Sequence, residues 1–138
     1  MKYIKLNTDW NADPNAPEVI LTINGFSLTL SFFVNYFVFK NFTKEDKAKL
    51  VFNNCHKYSF NSMNDEGYFM KQYRYNNDIL PYGEFYKIDT NWQNDFPLDN
   101  KILKPINDKS KLNHYLFFFR DNTFECIAEN YTLEFIRE

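Results

Sequence analysis

The chain has 138 residues, 44% of them hydrophobic and 25% charged, with a formal net charge of -2. That apolar mass can enclose a core without disulfides or metal, and charges of both signs scattered along the chain do not resemble a disordered segment. With a sequence pI near 5.7 and no basic stripe, nucleic-acid binding is disfavoured, because it depends on Lys and Arg releasing counterions from phosphate.

A single globular domain over residues 1–138 is expected, since no low-complexity tract, repeat or Gly/Ser-rich linker divides the chain. Near the N-terminus Lys2 and Lys5 are present, but Asp9 and Trp10 fall where the apolar core of a signal peptide would lie. The longest apolar region, 26–39, is broken by Ser27, Thr29, Ser31 and Asn35 and falls short of the roughly 20 residues that span a bilayer. The expectation is a cytoplasmic protein with no membrane partner.

In chain order, a short strand is predicted over 3–6, followed by a long connection over 7–17. Residues 18–34 read as a hairpin, with Asn24-Gly25 as a two-residue turn flanked by alternating runs. In that register Ile23 faces Phe26, Leu21 faces Leu28 and Val19 faces Leu30. All six would share one buried face, with Thr22, Ser27 and Thr29 on the wet one.

Strands follow at 48–53, 57–60, 68–75 and 84–89. The first has an alternative: Thr43 can cap a short helix over 44–52, so helix or strand stays open there. Residues 61–67 and 90–110 read as long connections, the second Asn/Asp/Pro-rich with Trp92, Phe96, Leu98, Ile102 and Leu103 to pin it down. The last quarter reads as a hairpin around Asp121-Asn122. It would pair Phe119 with Phe124, Phe117 with Cys126 and Tyr115 with Ala128 on a wholly apolar face. His114, Leu116, Phe118, Glu125, Ile127 and Glu129 would make a half-covered second face, and a further strand would follow over 131–136 after a turn at 129–130. The sum is an all-β protein, an antiparallel sandwich or partly closed barrel with one short helix at most.

Chemistry is harder to find. Aromatic residues make up 20% of the chain, but Phe, Tyr, Asn, Lys and Ile are also what AT-rich codons supply, so the excess identifies no ligand. Neither His56 nor His114 sits three or four residues from another ligand type in the spacing that zinc sites use, and Cys55 and Cys126 are read as reduced core thiols, so no metal site and no cofactor are expected. Cys55-His56 is the only local nucleophile and base, and adjacent residues of a strand point to opposite faces. No two of Gly25, Gly67 and Gly83 are close enough to cradle a phosphate. No catalytic residue is singled out.

Trp10-Asn11-Ala12 with Pro14-Asn15-Ala16-Pro17, Asn64-Asp65-Glu66-Gly67-Tyr68, Gly83-Glu84-Phe85-Tyr86, and Phe119-Arg120-Asp121 with Thr123-Phe124-Glu125-Cys126 resemble the words of a group of small, single-domain bacterial proteins of unknown function. The resemblance implies a stand-alone bacterial protein and brings no activity with it. By analogy with small β-rich immunity proteins, the leading expectation is a non-enzymatic protein-interaction module, with a protein partner or a second copy meeting a mixed aromatic and acidic surface. The alternative is a small-ligand binder or enzyme with an aromatic-lined pocket. Candidate binding residues across the two are Asp65, Glu66, Tyr68, Glu84, Trp92, Arg120 and Glu125.

Overall fold

Alternating apolar and polar residues form strands that join one antiparallel sheet. The computed structural model describes residues 2–61, 80–81, 83–106 and 108–137. The strands are β1 (Lys2–Lys5), β2 (Ile20–Asn24), β3 (Ser27–Phe33), β4 (Lys47–Asn61), β5 (Phe85–Asp89), β6 (Lys101–Ile102), β7 (Asn113–Phe118) and β8 (Thr123–Ile136). They form an eight-stranded sheet in the order β1-β5-β7-β8-β4-β3-β2, with β6 pairing with β4 off this path. A short helix, α1 (Trp92–Asp95), and a 3-10 turn over Lys109–Lys111 punctuate the connection between β5 and β7. The predicted strand over 68–75 lies outside the described residues.

Among the described residues the sheet curls without closing into a barrel, because β1 and β2 end the order and do not pair with each other. Its curl brings rings from non-adjacent strands together: Phe32 of β3 lies 5.0 Å from Phe117 of β7, and Phe52 of β4 lies 5.9 Å from Phe85 of β5. Phe32, Phe52, Phe85, Phe117, Phe119 and Phe124 are essentially without solvent contact. Each such side chain contributes about 1.5–3 kcal/mol through its removal from water.

Residues 6–17 form a strap across the open side. Leu6 N donates to Phe85 O, Ala12 N to Gly83 O, Asp13 N to Phe33 O, and Asn11 O accepts from Asn35 N, so the strap runs from the β5 side to the end of β3. Trp10 hangs from it onto Phe32, Phe117 and Phe135, with ring separations of 5.9, 6.4 and 6.0 Å.

Both hairpins keep their expected faces but not their expected registers. In the first, Asn24 pairs with Ser27, Ile23 with Leu28 and Leu21 with Leu30, so the loop is Gly25-Phe26. Gly25 takes the positive φ of +64°, and Phe26, freed from the ladder, accepts a hydrogen bond from Cys55 N at 2.8 Å. Phe26 and Ile23 are consequently exposed rather than core. In the last hairpin Phe118 pairs with Thr123, Phe117 with Phe124 and Tyr115 with Cys126. The loop is the four residues 119–122, closed by Phe119 N donating to Asn122 O at 2.8 Å.

Residues 48–53 and 57–60 belong to one strand, β4, which excludes the helix over 44–52. Asp46 Oδ2 instead accepts from Thr43 N at 2.9 Å and closes a turn before β4 begins. The turn expected at 129–130 is absent: β8 runs through it. The apolar phase does change there, from Phe124, Cys126 and Ala128 to Tyr131 and Phe135, which is why the sequence reads as interrupted. Across from it Asn54 adopts φ +50°, and β4 slips register between Cys55 and Lys57. Asn53 Nδ2 bonds Asn130 Oδ1 at 2.8 Å and Asn54 Nδ2 bonds Glu129 Oε2 at 2.6 Å, holding both strands together through the irregularity.

Candidate functional site

The outer face of β5, β7 and β8, expected to be half wet, is covered: His114, Leu116, Phe118, Glu125 and Ile127 are all buried. Pairing sets one cross-strand row of Tyr3, Ile88, His114, Ile127 and Lys57, and beside it a second row of Tyr86, Leu116, Glu125 and Ser59. His114 and Glu125 are therefore diagonal neighbours on β7 and β8, within reach of long side chains. His114 Nε2 lies 2.8 Å from Glu125 Oε1, and its Nδ1 lies 2.7 Å from Thr90 Oγ1, at the end of β5. Phe96 packs on the imidazole with a ring separation of 5.4 Å.

This chain of three side chains opens onto a cleft of about 710 Å³ between β1, the end of β5 and α1. Tyr3, Ile4, Ile88, Trp92 and Leu112 give it apolar walls, and Thr90, Asn113 and His114 supply polar groups, with Lys2, Lys87 and Asp89 around them. Trp92 also lies 5.9 Å from the His56 ring. Lys57 Nζ sits 5.5 Å from the Trp92 ring centre and 4.8 Å from that of Phe96. Burial there pulls the Lys57 ammonium below its ordinary value, and the ring faces offset part of that cost.

A second depression, of about 420 Å³, shares no residue with the first and lies where the strap meets the end of β3. Asp13, Glu18 and Glu45 bring carboxylates to it, Phe33, Tyr36 and Phe37 bring rings, and Lys44 brings a cation. Successive turns over 35–46 present these rings: Phe39 N bonds Asn35 O and Phe42 N bonds Phe39 O. Tyr36 and Phe37 stack at 4.2 Å, and Phe37 remains 52% exposed beside Val38 at 64%. Lys47 Nζ already occupies one face of Phe33, 4.7 Å from its centre.

The candidate residues from sequence divide between these places. Asp65, Glu66 and Tyr68 lie outside the described residues. Glu84 faces the strap, where Oε1 accepts from Asn11 Nδ2 at 2.8 Å and Oε2 accepts from Asn7 Nδ2. Arg120, exposed at the tip of the last hairpin, donates to Asn15 O at 3.3 Å. Glu84 and Arg120 thus hold two points of the same strap. Trp92 lines the cleft together with His114, and Glu125 is bonded to that imidazole from behind. Sequence reasoning did not single out Thr90, which sits just past a strand end, or Phe33, Tyr36, Phe37, Asp13, Glu18 and Glu45, which come together only through the strap. The available signal was the unusual density of Phe and Tyr over 32–39.

Among the described residues no group of three or more His, Cys, Asp or Glu is placed to hold a metal ion, and no helix is long and apolar enough to cross a membrane. The chain matches no protein-family model, no curated protein and no solved structure.

Proposed function

We propose that the chain is a protein-interaction module that takes a basic segment of a protein partner on the depression formed by Asp13, Glu18, Glu45, Phe33, Tyr36 and Phe37. The observation that carries this reading is Phe37, stacked on the partly buried Tyr36 and left exposed next to three carboxylates. An Arg or Lys side chain gains there from ring faces and from opposite charge together. Exposed aromatics that keep their rotamers are also the anchors through which interfaces gain most of their energy. An immunity-like role is one form of this reading, with the acidic face masking a basic surface of a toxin.

The test places a photo-crosslinking amino acid at position 37 in the full chain expressed in its native host. The expected result is one dominant adduct whose crosslinked peptide is rich in Lys or Arg and which disappears when Glu18→Lys and Glu45→Lys are combined. Equal crosslinking from the distant exposed position 102, or an adduct indifferent to the charge reversals, contradicts it.

A second reading is supported by the cleft of about 710 Å³, which is of the size and mixed lining that small-molecule sites have. In that reading the cleft at Thr90 and His114 binds an apolar small molecule. Shifts of the Ile4 and Ile88 methyl resonances on titration with a short-chain ester report it.

A further inference from the structure

Thr90, His114 and Glu125 are arranged as a nucleophile, a base and the group that orients the base. With Glu125 ionised its carboxylate only accepts a hydrogen bond, which assigns the proton on this side of the ring to His114 Nε2, 2.8 Å away. That leaves the lone pair of Nδ1 directed at the Thr90 hydroxyl, 2.7 Å away. A hydroxyl bonded to a neutral imidazole whose far nitrogen is fixed by a buried carboxylate is the arrangement that activates Ser or Thr for attack on a carbonyl, recognised by geometry and not by chain order.

Placement agrees with chemistry. The His114 and Glu125 side chains are each 1% exposed, while Thr90 is half-buried at the cleft. The nucleophile is therefore the member of the three that faces solvent, with base and carboxylate enclosed behind it. Apolar walls from Tyr3, Ile4, Ile88 and Trp92 stand beside the hydroxyl.

We propose that the cleft hydrolyses carboxylic esters with short apolar acyl chains, with Thr90 as nucleophile, His114 as general base and acid, and Glu125 as a positioning residue. Thr90 Oγ1 bonds to the ester carbonyl carbon as its proton passes to His114 Nδ1. The bond to the alcohol oxygen then breaks, that oxygen takes the proton from His114, and acyl-Thr90 remains. Water attacks the acyl carbon and gives a proton to His114. The Thr90 oxygen leaves, recovers that proton, and releases the carboxylic acid. This inference rests on the second reading of the cleft and is independent of the docking face.

The test uses the full chain with p-nitrophenyl butyrate, following nitrophenol release, acylation of Thr90 by mass spectrometry, and the Ile4 and Ile88 methyl shifts. The expected result is turnover above buffer, butyrylation at Thr90, and a loss of about 100-fold or more in Thr90→Val, with Thr90→Ser retaining turnover. Glu125→Gln should move the pH profile of turnover, which a purely structural role would leave in place. Should Thr90→Val not fold, the Thr90 adduct in the wild-type chain and the activity of Thr90→Ser decide the matter. Methyl shifts without turnover or adduct overturn the hydrolytic inference alone. Neither shifts nor turnover overturns it together with the small-molecule reading.

Discussion

Glu84 Oε1 accepts a hydrogen bond from Asn11 Nδ2 at 2.8 Å, across 73 positions of sequence. The other carboxylate oxygen takes Asn7 Nδ2, and Asn7 Oδ1 in turn accepts from Phe85 N at 3.0 Å. One side chain before β5 thereby fixes the strap that carries Trp10 into the core and Asp13 to the docking face. Glu84→Ala removes the acceptor of Asn11 Nδ2 and leaves Asn7 Nδ2 with Trp10 O alone; it is expected to lower stability by about 1–3 kcal/mol, whereas Arg120→Ala, at an exposed tip, should cost about 0.5 kcal/mol or less. Urea unfolding of both variants checks the contrast, and equal midpoints would refute the clamp.

Gly25 carries the turn of the first hairpin with φ +64°, and a Cβ there would meet nothing within 4 Å. The cost of Gly25→Ala is thus purely conformational, about 1–2 kcal/mol. The expected result is a lowered denaturation midpoint with an unchanged urea slope. An undiminished midpoint would place the turn elsewhere.

That turn also marks what the sequence could and could not convey. Asn24-Gly25 signalled a hairpin, and alternation identified Leu21, Leu28 and Leu30 as sharing a face. Both hairpins nevertheless pair two residues away from the register drawn from sequence. A two-residue slip preserves the face of each side chain that stays paired, so the core of Phe117, Phe124 and Cys126 was legible, with Phe119 buried from the loop, while the partners were not. His114 meets Glu125 only in the observed register, in which Leu116 and not Phe118 lies opposite Glu125. The Asn54 conformation and the slip at Cys55 depend on contacts far along the chain, and no local pattern announces them. The docking face depends on the strap, whose hydrogen bonds to Phe33 and Gly83 are tertiary.

The Tyr115 phenol is pushed up to about 12, first by burial and then by the nearby Cys126 and Tyr131. Its unfolded value is near 10, so at alkaline pH the unfolded chain loses this proton first. The associated stability is complete below pH 10 and declines as pH rises towards 12. Unfolding midpoints measured through that window should fall more steeply in the wild type than in Tyr115→Phe. Parallel curves would contradict the assignment.

Cys55 and Cys126 are free and buried, and burial, reinforced by the neighbouring Cys55, pushes the Cys126 thiol well up. Thiolate is the reactive form, so Cys126 should resist a disulfide reagent in the native chain, Cys55 should be shielded from it by burial, and both should react promptly in denaturant. Fast native labelling of Cys126 would mean that the curl of the sheet opens readily.

The docking proposal is tested most directly by titrating the partner captured at position 37 against wild-type chain, Phe37→Ala, and the Glu18→Lys, Glu45→Lys double variant. The account predicts at least about a tenfold loss of affinity for each, roughly 1.4 kcal/mol or more, with the wild-type affinity weakening as salt is raised. Wild-type affinity in both variants would contradict it.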